Sequence, residues 1–464
     1  MRVRRFLHRS RVAAPAEAVY QWHARPGALE RLTPPWESVE IEERTGGIDD
    51  DSRVVLRVRM GPVSRRWVAV HRDHVSGSQF RDQQVQGPFA HWVHTHRFSP
   101  DGPVASILED DVEFALPLEP LAGLVASSLV ERKLRRLFTY RHAVARGDIE
   151  AHRMAGESRS LRVGVTGSHG LVGTALVPFL TTGGHRVVPI VRGAAADPEA
   201  IPWDPAHGLQ DAARLSGVDA VVHLAGENIA ARRWTDAHKA AVRQSRVEGT
   251  RRLCEVLAAL PHPPRVLVAA SATGFYGDRG AEVLTEESSP GSGFLAEVCR
   301  EWESATRPAE QAGIRVVHLR FGMILSPRGG ALGKMLLPFK LGVGGPAGSG
   351  RQFVSWVAID DAIGAVLHAV ATEGLRGPAN VVAPAPVTNA EFARTLGRVL
   401  SRPALVPFPA FAARLAFGEL AEALLLASAR VMPAKLQASG YRFRFADLEG
   451  ALRHLLGRGE AKGD

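Results

Sequence analysis

Gly167, Gly170 and Gly173 stand in the run Thr166-Gly-Ser-His-Gly-Leu-Val-Gly173. Their spacing is that of a backbone folded around a phosphate. The first glycine makes a tight turn, the second lets an anion approach the main chain, and the third allows the following helix to pack closely. A helix starting there adds unpaired N–H groups and the positive end of its dipole. Further on, Val187-Val-Pro-Ile-Val-Arg192-Gly193 offers no Asp or Glu to accept a hydrogen bond from a ribose 2′-hydroxyl. Arg192 would pair with a 2′-phosphate instead, which selects NADP(H); the plainer reading is a solvated surface arginine. The expected cofactor contacts are therefore Gly167, Ser168, Gly170, Leu171, Gly173 and Arg192, with the backbone of Leu224, Ala225 and Gly226 beside them. Arg320, at a strand end, and Arg351, in a Gly-rich loop, either hold an anionic small-molecule substrate or make ordinary ion pairs. His94 and His96 are two apart on a strand and share a face, which suits a metal pair. No further ligand has a telling spacing, so structural or hydrogen-bonding histidines are favoured and no metal site is expected.

The elements that must position these residues fall into two rhythms. Arg2–Val12, Arg53–Arg59, Arg65–Asp73, Gln79–Gln86, His91–Phe98 and Ser106–Ala115 read as strands, with a short helix over Ala16–His23. From Leu118 to Ala145 the period becomes helical, and Leu121, Leu124, Val125, Leu129, Leu134, Leu137 and Phe138 can form one apolar face. Strands followed by one long helix predict an α+β domain over residues 1–148, in which the helix covers a curved antiparallel sheet. Residues 149–160 are polar and unperiodic, a linker. Strand and helix then alternate: Leu161–Thr166, Arg186–Val191, Asp219–Leu224, Arg265–Ala270 and Arg315–Phe321 between helices over Leu171–Thr182, Thr235–Leu260 and Leu295–Ala312. This predicts an α/β doubly wound Rossmann domain over 161–464, with the part after Ser326 serving as a substrate-side cap.

At 464 residues two domains are expected. With 45% hydrophobic and 23% charged residues the composition is that of a globular protein, and no apolar run is long enough to span a bilayer. No signal peptide is evident after the basic start. The net charge of +9 is spread among acidic residues and no nucleic-acid-binding signature accompanies it, so nucleic acid is not an expected partner. Two cysteines, Cys254 and Cys299, without CxxC spacing fit a reducing cytoplasm.

The glycine run resembles, together with Trp203-Asp204-Pro205, Leu224-Ala-Gly-Glu-Asn-Ile229, Arg233-Trp-Thr235, Ser245-Arg-Val-Glu-Gly-Thr250, Ser271-Ala-Thr-Gly-Phe-Tyr-Gly277, Trp302-Glu303, Gly329-Gly-Ala-Leu332, Gly348-Ser-Gly350 and Ile359-Asp-Asp361, the atypical extended short-chain dehydrogenases called NAD-dependent epimerase/dehydratase or nucleoside-diphosphate-sugar epimerase-like. The resemblance covers Leu161 to Leu456, including a family extension over about 403–456. Ala358 stands where that pattern usually has a histidine. Residues 2–148 resemble the START-like helix-grip superfamily, in its polyketide cyclase/dehydrase and coenzyme-Q-binding branch, on Ala14-Pro-Ala-Glu-Ala-Val19, Gly87–Phe98 and Asp110-Asp-Val-Glu-Phe114. That resemblance implies an apolar cavity and a hydrophobic ligand.

Working members of the dehydrogenase family use a Tyr acid/base, a Lys four residues later, a Ser or Thr and an Asn. The resemblance aligns Leu295 with the Tyr, Cys299 with the Lys and Arg246 with the Asn. Of four tyrosines only Tyr276 and Tyr441 fall in this half, and no Tyr-x-x-x-Lys occurs. Tyr276 is the candidate acid and Ser271 the candidate to polarise a carbonyl; packing and backbone capping are their structural alternatives. The expected function is an NADP-dependent oxidoreductase or epimerase-like enzyme acting on a small molecule. A non-catalytic NADP(H)-sensing and ligand-binding protein is the rival, and a cell-division-related regulator a third reading.

Overall fold

The structure, a computed structural model, describes residues 2–61, 63–117, 119–156, 160–193, 198–204, 208–209 and 211–459. It divides into two compact units, one of Met1–Glu157 with Thr181–Gly184 and Leu456–Glu460, the other holding the remainder.

In the first unit, β1 (Arg4–Val12), β2 (Val39–Thr45), β3 (Arg53–Met60), β4 (Val63–Val75), β5 (Gln79–Gln86), β6 (His91–Pro100) and β7 (Ser106–Ala115) form one antiparallel sheet in the order β1-β7-β6-β5-β4-β3-β2. Helices α1 (Ala16–Ala24) and α2 (Ala28–Leu32) cross between the first two strands, and α3 (Glu119–Ala155) follows the last. Leu108, Val112 and Phe114 on β7, and Trp92 and Phe98 on β6, lie at even spacings and are buried, as one covered face requires. Leu134, Phe138, His142, Ala145 and Ile149 recur on α3 at three- and four-residue intervals and are buried too. Phe138 joins Phe6, Trp92, Val112 and Phe114 in one apolar group; Val144, Ala145 and Ile149 join Trp22, Phe80 and Phe98 in another.

Three sequence expectations change here. The long helix does not end at Ala145 but runs to Ala155, so most of the expected linker is its last turns. The cause is Asp148, fully buried and paired through both oxygens at 2.7 Å with the buried guanidinium of Arg31, together with Ile149 in the core. Leu129 is exposed, outside the predicted apolar stripe. Leu118, the rest of the linker at 157–159, and the side chains of Leu121, Leu124 and Val125 lie outside the described residues. Strand β2 was not foreseen: Val39-Glu-Ile-Glu-Glu-Arg-Thr45 is an edge with little burial, so its pattern carries little apolar signal.

The second unit is built on β8 (Arg162–Thr166), β9 (Arg186–Arg192), β10 (Ile201–Asp204), β11 (Gly208–Leu209), β12 (Ala220–His223), β13 (Val266–Ala272), β14 (Arg315–Phe321) and β15 (Gly377–Val381), in the order β11-β10-β9-β8-β12-β13-β14-β15. All neighbours are parallel except β10 and β11. Val163, Val165, Val221, Val222, Leu267 and Val317 are buried in succession, as strands covered on both faces are. The chain moves outward from β8 to β10 and returns to the other side of β8 at β12, which leaves a crevice beyond the ends of those two strands. Helices α4 (Gly173–Thr182), α5 (Asp236–Ala258), α6 (Phe294–Ser304) and α7 (Arg307–Gln311) follow their strands. The helix expected over Leu295–Ala312 is thus two, because Pro308 lacks an N–H and opens a new turn. The segment after Ser326 is not all cap: β15 extends the main sheet, and the helix over Ile359–Ala371 is buried along most of its length. Among the described residues no helix is long and apolar enough to cross a membrane.

Candidate cofactor and active site

Between β8 and α4 the backbone turns at Gly167, with φ of 68°. A Cβ there would lie 2.8 Å from the carbonyl carbon of Leu224 and 2.9 Å from the nitrogen of Ala225. A Cβ on Gly173 would sit 2.2 Å from the oxygen of Gly167. Only glycine fits either place, because each is packed against main chain that cannot give way. At Gly170, which is exposed, the nearest neighbour to a Cβ is the Gly167 oxygen at 3.2 Å. Ser168 is buried in the turn, and Leu171 packs its methyl groups on Gly329 and Gly330.

A buried polar chain fixes this turn from below. The Thr166 hydroxyl accepts hydrogen bonds from the backbone N–H groups of Leu224 (3.1 Å) and Ala225 (3.2 Å) and lies 2.8 Å from His223 Nδ1. On the other side of the ring, His223 Nε2 is 2.9 Å from the hydroxyl of Thr250, which also accepts from Trp302 Nε1 at 2.9 Å. Burial pushes the His223 pKa down to about 4, so the ring is neutral at pH 7. With the Thr166 oxygen already accepting twice, its proton goes to Nδ1 and the ring proton sits on Nε2. Leu224, Ala225 and Gly226 are thereby locked opposite Gly167. Arg192, ending β9, is exposed and has no ion pair among the described residues. Trp203 is buried on β10, while Pro205 of the Trp-Asp-Pro motif lies outside the described residues.

Where the chemistry would be expected, the structure separates two sets of residues. A Cβ on Gly274 would meet Leu295 Cβ at 3.3 Å and Cys299 Sγ at 3.9 Å, so Leu295 and Cys299 do face the turn after β13. Neither moves protons at neutral pH: one is a hydrocarbon, and burial pushes the Cys299 thiol up to about 12. Nearby, Arg246 donates to the carbonyl oxygens of Glu227 (3.0 Å) and Val242 (3.3 Å) and stacks over the Trp302 ring.

Ser271, Tyr276 and Arg320 are brought together, but in the interior. The Ser271 hydroxyl donates to Glu303 Oε1 at 2.7 Å. Arg320 grips both oxygens of Glu303 at 2.8 Å, donates to the Tyr276 hydroxyl at 2.9 Å, and lies 3.5 Å over the Phe275 ring. Tyr276 in turn donates to Asn380 Oδ1 at 2.8 Å. Arg320 and Ser271 are each 3% exposed and Tyr276 is fully buried. Burial acts against the arginine's charge, yet its hydrogen bonds and attraction to Glu303 hold the guanidinium above its usual range. Burial also raises the Tyr276 phenol. Arg320 is therefore a structural ion pair and not a substrate anchor. The hydroxyls of Tyr276 and Ser271 are thus both engaged by protein partners, the packing alternative to the expected acid and carbonyl donor. Glu303 and Asn380 were missed as partners; Glu303 lies one turn after Cys299, on the same face of α6, and that spacing was the available signal. Arg351 is exposed in its loop and has no ion pair among the described residues.

In the first unit, His94 and His96 are both buried, and carboxylates reach them from both neighbouring strands: Asp82 is opposite His94 on β5, and Asp110 is opposite His96 on β7. No sequence spacing marks these partners, because they come by strand register.

The model of the NAD dependent epimerase/dehydratase family matches residues 163–382, that of polyketide cyclase/dehydrase and lipid transport residues 12–138, and that of a domain of unknown function (DUF1731) residues 408–455. An epimerase family protein of Mycobacterium bovis is 45% identical over 292 residues, covering 62% of this chain and 96% of its own. The crystal structure of a nucleoside-diphosphate sugar epimerase from Corynebacterium glutamicum is similar over 97% of this chain and 90% of its own, at 36% identity and a TM-score of 0.80. The human epimerase family protein SDR39U1, solved with NADPH, is 38% identical and covers 64% of this chain and 99% of its own, with a TM-score of 0.60.

Proposed function

Since the chain belongs to the NAD-dependent epimerase/dehydratase family, we propose that its second unit binds NADP(H) and that the protein is an NADP-dependent oxidoreductase or epimerase-like protein for a small molecule. The observation that carries the reading is the cradle at Gly167 and Gly173, where a Cβ would strike main chain. The residues present fit a dinucleotide. Gly167, Ser168, Gly170, Leu171 and Gly173 would hold the pyrophosphate at the start of α4. Arg192 would take the 2′-phosphate, and Leu224, Ala225 and Gly226 would line the cofactor's flank. The 38% identity to a human protein solved with NADPH supports the choice of nucleotide. When bound, the nicotinamide supplies or accepts a hydride. Of the substrate anchors considered, Arg351 remains open to solvent for an anionic group.

A second reading, cofactor binding without turnover, is favoured by Leu295 and Cys299 at the turn where an acid is needed and by the committed hydroxyls of Ser271 and Tyr276. Calorimetry with NADPH and NADH tests the binding, and NADPH oxidation against a panel of carbonyl compounds and nucleotide sugars separates the two readings. Equal affinity for both nucleotides sinks the NADP assignment. Tight binding with no oxidation across the panel selects the second reading. For the first unit we propose a helix-grip domain with a ligand of its own; the family match to polyketide cyclases and lipid transporters is the support.

A further inference from the structure

A set of polar side chains with no part in the nucleotide site lies inside the first unit, on the sheet face that carries buried Val112 and Phe80. One oxygen of Asp82 and one ring nitrogen from each of His94 and His96 can be chosen so that all lie within 4.8 Å of one another. Asp82 Oδ2 is 3.3 Å from His96 Nε2 and 3.6 Å from His94 Nδ1. These separations are long for charge-assisted hydrogen bonds but close to the ligand-to-ligand edge, roughly 3.3 Å, of a tetrahedral ion with bonds of about 2.0–2.1 Å.

The remaining atoms of the three residues are engaged from behind. Asp110 Oδ1 is 2.7 Å from His94 Nε2 and 2.7 Å from His96 Nδ1, although the latter is out of line for a hydrogen bond. Those contacts are too short for Asp110 to share an ion with the same two nitrogens. It sits instead as the carboxylate behind both rings, the arrangement that orients imidazole ligands. Asp110 is itself held by His142 Nε2, whose Nδ1 is 2.7 Å from the Ser10 hydroxyl. The other Asp82 oxygen lies 2.7 Å from His71 Nε2. The His94 and His96 side chains are 4% and 7% exposed and that of Asp82 is 24% exposed, so the group has a dry back and one wetted edge. Two carboxylates placed this deep need positive charge beside them, and the Arg141 guanidinium, which interacts electrostatically with both, supplies part of it.

We propose that Asp82, His94 and His96 bind one divalent first-row transition ion of the class that imidazole and carboxylate ligands take, zinc or ferrous iron, with Asp110, His142 and His71 orienting the ligands. Three protein ligands leave a coordination position for water or a small ligand on the Asp82 side. The proposal does not depend on the nucleotide site.

The full-length protein, stripped with a chelator and dialysed, is titrated with Zn2+ by calorimetry and with Co2+ by absorbance. One ion per chain and visible d–d bands of a four- or five-coordinate cobalt centre are expected. Asp82→Asn and His96→Gln should each weaken Zn2+ binding by two decades or more, and Asp110→Asn by one to two decades. The first unit's urea transition, measured in parallel on each metal-free protein, should be retained in every variant and so reports that the unit carrying the cluster is folded. Absence of d–d bands from the wild-type protein overturns the proposal whatever the variants do. Binding that persists unchanged in Asp82→Asn and His96→Gln also overturns it and leaves the cluster a hydrogen-bonded His–Asp network.

Discussion

Arg192 and Tyr276 place opposite demands on a single side chain. Arg192 is exposed and has no ion pair among the described residues, which leaves its guanidinium free for the proposed 2′-phosphate contact. A charge-assisted contact to a 2′-phosphate is worth about 1.5–3 kcal/mol, and Arg192→Ala should therefore erase roughly one to two decades of NADPH-over-NADH preference in calorimetry. Affinity for NADH should stay within a few-fold, since the glycine cradle is untouched. Tyr276 is the reverse case, with its hydroxyl enclosed by Arg320 and Asn380. Removing that oxygen leaves a buried donor and a buried acceptor short of a partner, at a cost of about 1–3 kcal/mol. Tyr276→Phe should thus lower the urea midpoint while leaving NADPH affinity within a few-fold. An unchanged midpoint together with a hundred-fold or larger loss of turnover would restore Tyr276 as an acid. At this scale the sequence was legible where backbone dictates the residue. Gly167 and Gly173 admit no Cβ, and a strand–turn–helix context makes that constraint readable. It was illegible at Tyr276, because a hydroxyl in the turn after a strand reads the same whether it faces a crevice or Asn380, a residue 104 positions away.

Elements explain why the buried groups tolerate their charges. The Glu303 pair ties α6 to β14, and through Tyr276 to the turn after β13. Glu303→Ala strands a guanidinium that is 3% exposed, and breaking a buried pair in this way costs about 3–5 kcal/mol. It should destabilise the chain more than Tyr276→Phe does, measured by the same urea midpoint. A different element junction sets a pH response. His223 joins β12 to β8 through Thr166 and to α5 through Thr250, with its pKa lowered from 6.5 to about 4 by burial. In the unfolded chain the ring takes up a proton below about 6.5, whereas in the folded chain it does not until about 4. Its contribution to stability is therefore complete above pH 6.5 and is lost as the pH falls toward 4, by up to about 3 kcal/mol. His223→Asn should shrink the drop in Tm between pH 7 and pH 5 relative to the wild type; an equal drop in both would show that the ring is not the proton acceptor. Elements with strong periodicity, such as β6, β7 and α5, were readable from sequence. The end of α3 was not, because Asp148 looks like a helix breaker until Arg31 is known to face it. Strand β15 was hidden likewise, since Gly377-Pro-Ala-Asn-Val381 carries turn residues and owes its place to β14 alongside.

On the scale of the whole molecule, the two rhythms of the sequence correspond to two sheets that share no strand. Each has its own buried apolar groups: Trp22, Phe80, Phe98 and Phe138 in the first unit, Ile201, Trp203, Leu253 and Leu267 in the second. A unit with its own core and a closed set of strand pairings has what cooperative folding requires. The second unit should accordingly fold alone: a chain beginning at Ser160 and running to the C-terminus should be monodisperse, unfold in a single urea transition and bind NADPH within a few-fold of the full-length protein. A first-unit fragment ending at Gly156 carries the complete seven-stranded sheet but lacks Thr181–Gly184 and Leu456–Glu460, which group with it in the intact chain. It should fold with a lower urea midpoint than the first unit shows within the full chain. If both fragments aggregate at concentrations where the full-length protein stays dispersed, the units are one cooperative body, and the separate cores are then insufficient to stabilise either sheet alone.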